Sequence, residues 1–150
     1  MVELMMKNMN NRKVKYNLSD LIDKISIDQI KQINFENKSQ LYEKSISDLI
    51  DEIDQSLKNN KKKYKLDATI IRIVIALSQI NLFIWFLRDE LKTETINFNQ
   101  QMKLSHQLNS LRNNLKNMLL NKLNEPSNSL GKTNIDKEDL KGWHYSILDE

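Results

Sequence analysis

From Ala68 to Leu91 the chain is apolar on nearly every helical face, with 15 of the 20 residues from Ala68 to Leu87 hydrophobic. A helix without a polar side is either enclosed by protein or placed in a membrane, so its neighbours decide which. Upstream, Leu18, Leu21, Ile22, Ile25 and Ile33 recur at helical spacing and predict a first helix reaching Asn34. Asn17 or Ser19 is its expected cap. Ile27 and Ile30 fall off that stripe and predict contact with two neighbours. A polar break over 34–38 precedes a second helix, expected from a Ser39 cap to about Leu57. In it Tyr42, Ile46, Leu49, Ile50, Ile53 and Leu57 form one stripe, and the acids lie opposite. Asp67 is the expected cap of the apolar helix, placing a carboxylate at the positive end of its dipole. After a loop with Thr95 or Asn97 as candidate caps, a fourth helix is predicted from Phe98 to about Leu123. Leu104, Leu108, Leu111, Leu115 and Met118 alternate there at spacings of four and three, the seam of bundle packing. Pro126 ends it, because the residue before a proline is driven out of helical geometry.

Residues 1–16 have no sustained period and read as a flexible lead-in, 17–125 as a helical bundle domain, and 126–150 as a linker and short C-terminal segment. One or two helical turns are expected over Asp136 to Lys141. The terminal G-W-H-Y-S-I-L gathers Trp143, Tyr145, Ile147 and Leu148 on a tail that either folds back onto the domain or anchors a partner. Only 2 Gly and 1 Pro in 150 residues leave few devices for the tight turns of a β-rich fold. The expected fold is all-α: an antiparallel bundle of four main helices with a buried central third helix and a short C-terminal appendage.

The third helix also has about the length of a bilayer span. Arg72, Gln79 and Asn81 lie inside the window, and an Arg near a bilayer centre costs on the order of 2.5 to 3.5 kcal/mol. The amphipathic stripes on either side need an apolar partner, and this helix supplies one, so the sequence predicts no membrane span. Zero Cys excludes a disulfide framework and thiolate metal sites. The opening M-V-E-L-M-M-K-N-M-N is interrupted by Glu3 and Lys7 and does not read as a signal peptide, so a cytoplasmic location is expected.

The net charge of +3 is modest and its acids and bases are interleaved, so nucleic acid is not demanded. The one dense basic cluster comprises Lys58, Lys61, Lys62, Lys63 and Lys65. It reads first as a solvated loop and second as a patch for phosphate, RNA or anionic lipid.

Catalytic signatures are missing from the sequence. It has no Gly-rich phosphate loop, no nucleophile elbow, no Glu-x-x-His pair and only two histidines, His106 and His144, in different elements. Neither a metal site nor a cofactor is expected. What stands out is a polar set on otherwise apolar helices: Asp23 and Lys24; Arg72, Asn81, Trp85, Asp89 and Glu90; Asn109, Arg112 and Asn113. Brought together, Arg112 or Arg72 would pair with Asp23 or Asp89. Such a set is first a network that fixes helix register. Its functional counterpart is a small pocket for an anionic or hydroxyl-rich ligand, where Arg offers a bidentate fork and Asn both donor and acceptor.

At these residues a resemblance enters. L-S-D-L-I-D-K-I-S-I (18–27) resembles the opening helix of an uncharacterised bacterial family of small helical proteins that begin with an E-L-I-D-K-I-T-I type motif. I-N-L-F-I-W-F-L-R-D-E (80–90) is similar to that family's N-x-x-I-W-x-x-E-D-E, and Q-L-N-S-L-R-N-N-L (107–115) to its L-N-x-x-R-x-x-L. The three stand in the same order over about 100 residues. The chain departs from the pattern in having Asp20 where the opening Glu is expected before Leu21, and Arg88 where an acid is expected. The resemblance implies a helical domain associated with surface-polysaccharide genes, and it marks Asp23, Lys24, Asn81, Trp85, Asp89, Glu90, Asn109 and Arg112.

Three functions follow as expectations. The first is a non-enzymatic interaction or structural protein that self-associates, since the stripes on the second and fourth helices exceed what one central helix covers. The second is a ligand-binding or catalytic protein of surface-glycan metabolism using the polar seam. The third is nucleic-acid binding through the Lys-rich loop.

Overall fold

In a computed structural model the chain is described over residues 16–59, 64–92, 97–125, 133–136, 138–140 and 146–148. The fold is all-α, and no strand occurs among the described residues. Among the described residues there are four main helices: α1 (Leu18–Asn34), α2 (Ser39–Asn59), α3 (Ala68–Leu91) and α4 (Phe98–Lys122). Short 3-10 turns cover Glu36–Lys38 and Ser146–Leu148.

The helix starts follow local chemistry. The Asn17 side chain accepts from the Asp20 amide at 2.8 Å, and Asp67 Oδ1 accepts from the Ile70 amide at 2.9 Å, each satisfying a donor that the first turn leaves over. Ser39 is not a cap, because the chain runs from the 3-10 turn straight into α2 with Ser39 in helical geometry. Asn97 begins α4 without a side-chain cap, and Thr95 lies outside the described residues. The end of α4 is set by Asn124, whose φ of 52° is left-handed. Asn tolerates that region better than most residues with a Cβ. The Asn124 amide then donates to Asn121 O at 3.2 Å and the Glu125 amide to Leu120 O at 3.0 Å, closing a Schellman turn. The helix ends at Lys122, short of Glu125, the residue that precedes Pro126.

The core lies among α1, α3 and α4. Ile73, Leu77 and Ile80 of α3 and Leu108, Leu115 and Leu119 of α4 are fully enclosed, with Leu18 of α1 beside them. The α4 seam holds as expected, with Leu104 and Met118 half-buried at its ends. Ile147 is buried in the same core and Leu140 is nearly so, so these parts of the C-terminal segment fold back onto the domain. Trp143 and Tyr145 lie outside the described residues.

Three expectations about coverage are corrected. α3 is not enclosed all round: Ile71, Ile75, Leu82, Phe83 and Phe86 are between 40% and 54% exposed. The physical reason is numerical, since α1 and α4 cover one side of α3 and α2 packs mainly on α1. α3 is long and apolar enough to cross a membrane, and 44% of its most apolar window is buried within the protein. The α1 stripe is also incomplete: Ile33 is 75% exposed, whereas Ile30, off the stripe, is buried. In α2 only Leu49 is buried and Ile50 is exposed.

The candidate functional site: a carboxylate held by three helices

Asp23 sits on the inner face of α1 and is 3% exposed. Arg112 of α4 reaches it with a two-pronged contact: Nε donates to Oδ1 at 3.0 Å, and a terminal guanidinium nitrogen donates to Oδ2. The amide of Asn81, buried on α3, donates to the same Oδ1 at 2.9 Å and to Ser26 Oγ at 3.3 Å. Lys116 Nζ lies 3.6 Å from Oδ2 and 2.7 Å from Asp20 Oδ1. One turn back, Ser19 Oγ donates to the Lys116 carbonyl at 3.1 Å. At the start of α1, Glu125 Oε2 accepts from the Leu18 amide at 3.0 Å.

Burial by itself would raise the Asp23 carboxyl's pKa. The Arg112 hydrogen bond and charge, the Asn81 hydrogen bond and the Lys116 charge outweigh it, so the carboxyl lies below its ordinary value. Two oxygens that accept three hydrogen bonds and meet a second cation have most of their lone-pair capacity in use. The arrangement stores charge inside the fold with its partners in place. Removing one partner would leave a buried charge uncompensated, the costly situation for such groups.

Of the polar set, Asp23, Asn81 and Arg112 converge and the other residues do not. Lys24 lies over the Tyr16 ring at 4.2 Å. Arg72 is exposed and donates to Ser146 Oγ at 2.6 Å, tying α3 to the C-terminal 3-10 turn. Trp85 meets Phe35 edge-on with centroids 5.6 Å apart, and Phe35 also contacts Tyr42 of α2 at 6.3 Å. Asp89 is exposed and pairs with Lys92 at 3.3 Å, and Glu90 is exposed on the same end of α3. Asn109 and Asn113 line a shallow pocket of about 280 Å³ on α4 with His106, Gln107, Ser110 and Asn134. Lys58 and Lys65 are exposed, whereas Lys61, Lys62 and Lys63 lie outside the described residues.

Sequence reasoning missed Asp20, Ser26, Lys116 and Glu125. A signal for two of them was present. Asp20 and Asp23 are one turn apart on α1, and Arg112 and Lys116 are one turn apart on α4, so two acids face two bases. Among the described residues no group of three or more His, Asp or Glu side chains is placed to hold a metal ion. An apolar groove of about 390 Å³ runs between α1 and α3, lined by Ile22, Ile25, Ile33, Val74 and Leu82 among others. It opens beside the exposed face of α3.

Compared with protein-family models, with curated proteins and with solved structures, the chain matches none.

Proposed function

We propose that this chain is a non-enzymatic interaction protein of the aqueous cytoplasm, an antiparallel four-helix bundle locked by the Asp23 network and binding through the outward face of α3. The antiparallel arrangement is supported by the order of the ion pairs, since Asp20 pairs with Lys116 while Asp23, further along α1, pairs with the earlier Arg112. The observation that carries the reading is the division of labour on α3. Its polar Asn81 points inward to a carboxylate that Arg112 also holds, while five large apolar side chains face water. A row of large side chains left half in water favours a binding surface, because their exposure costs about 25 cal/mol for each Å² that a partner would cover.

The test separates the two faces. Asp23→Ala should lower the melting temperature. Ile75→Glu should leave melting nearly unchanged and abolish association, read by sedimentation equilibrium. A stable Asp23→Ala variant, or association indifferent to Ile75→Glu, would overturn the reading.

A further inference from the structure

We infer that the outward face of α3 binds the same face of a second copy of the chain, the two α3 helices lying antiparallel about a two-fold axis level with Ile80 and Asn81. This rests on the proposed role of α3 as the binding face and adds the partner and its orientation. The face is a regular seam. Arg72, Ile75, Gln79, Leu82, Phe86 and Asp89 follow one another at spacings of 3, 4, 3, 4 and 3, and all six are exposed. Alternating steps of three and four are the register in which two helices interlock side chains. Ile71 and Phe83 flank the seam, each about half exposed, and widen its apolar strip.

The charges select the partner and the direction. The seam carries a base at one end and an acid at the other, with apolar residues and one Gln between them. A second copy lying parallel would set Arg72 beside Arg72 and Asp89 beside Asp89. Lying antiparallel, it sets each Arg72 against the other copy's acidic end, where Asp89 and Glu90 are both exposed. One axis serves the whole seam: the two-fold that brings Arg72 to Asp89 also brings Ile75 to Phe86 and Gln79 to Leu82. Self-complementarity of this kind is what a two-fold contact between identical chains requires. Within its own chain Arg72 also donates to Ser146 Oγ.

The size of the face sets the strength. Five side chains about half exposed present on the order of 400 Å² of apolar surface, below the roughly 800 Å² per partner of a standard interface. Leu82 is shared with the apolar groove against α1, where Ile33 adds a further exposed side chain. The dimer is therefore weak, with a dissociation constant of roughly micromolar order.

The chain contains no Cys, so single cysteines report on geometry directly. In the antiparallel dimer the two copies of position 79 lie beside the axis, while the two copies of position 72 are separated by 17 helical positions, about 25 Å. Gln79→Cys should form a disulfide-linked dimer on mild oxidation and Arg72→Cys should not. Sedimentation equilibrium of the full chain should show a monomer–dimer equilibrium that Arg72→Asp or Asp89→Arg weakens about tenfold and that the double exchange restores. Cross-linking at both positions means parallel pairing; it overturns the orientation and leaves α3 as a binding face. A monomer at all concentrations whose binding to phosphatidylcholine vesicles is removed by Ile75→Glu overturns the second copy as occupant. A monomer that binds no vesicles, and whose behaviour no α3 substitution changes, overturns both this inference and the proposed function.

Discussion

Arg112 engages both carboxylate oxygens of Asp23, a residue 89 positions earlier in the chain and on a different helix. With Asn81 donating from α3, one carboxylate ties together the three helices that enclose the core. Leucine packing alone tolerates sliding by a turn; a two-pronged ion pair does not, because its donors and acceptors meet in only one register.

This sets the energetic scale of the first prediction. Asp23→Ala should cost about 3 kcal/mol, since it strands the Arg112 charge at a partly buried position. For a chain of this size that is a fall of roughly 10 °C in melting temperature. Arg112→Lys should cost less, because a lysine keeps the charge and loses the fork. A double-mutant cycle between positions 23 and 112, measured by urea denaturation, should give a coupling energy of at least about 1 kcal/mol. Additive single effects would show that the pair is not a lock.

The second prediction concerns acid. The folded Asp23 carboxyl is held below its ordinary value of 3.8, so the folded chain binds this proton less readily than the unfolded chain does. The stabilisation is therefore fully present above the ordinary value and disappears as pH falls toward the lowered folded value. Thermal melts from pH 7 down to pH 2 should show the wild type losing stability below about pH 4. Asp23→Asn should start less stable and lose less over the same range. Parallel curves for the two proteins would refute the assignment.

The third prediction isolates backbone strain. Asn124 holds a left-handed conformation at the end of α4. Asn124→Gly should be neutral or slightly stabilising, while Asn124→Val should cost about 1 to 2 kcal/mol. Because Glu125 accepts from the Leu18 amide just beyond that turn, the Val variant should also speed amide exchange at Leu18. Exchange unchanged at Leu18 would show that the two helix ends are uncoupled.

A fourth prediction contrasts neighbours on α3. Leu77 is fully enclosed and Ile75 is 54% exposed. Leu77→Ala should cost about 2 to 5 kcal/mol through lost contacts and a cavity, and Ile75→Ala under about 1 kcal/mol. Equal losses measured by denaturant titration would mean that Ile75 is covered within a single chain.

Much of this was legible in the sequence because it is local. Asn17 and Asp67 cap helices by bonding amides three residues on, so their role needs no knowledge of the remote chain. Asp23, Asn81 and Arg112 stood out because each is polar on an otherwise apolar helix. Their convergence did not follow from that: Arg72 and Asp89 stood out equally and went instead to Ser146 and Lys92. Lys116 was marked only by its one-turn spacing from Arg112, which matches that of Asp20 and Asp23; by itself a lysine on the polar side of a helix looks the same whether it meets solvent or a buried acid.

The sequence by itself determined the four helices, the caps of α1 and α3 and the alternation that packs α4, because helical periodicity and capping act over one or two turns. Tertiary structure alone decided which face of α3 is buried. Its polar residues do not say which way to turn: Arg72, Gln79 and Asp89 face outward, whereas Asn81, equally polar, faces inward to Asp23. In the folded chain Asp23 of α1 and Arg112 of α4 stand on the side of Asn81, where a buried carboxylate needs all its donors together, and Ile75 and Phe86 face water on the other.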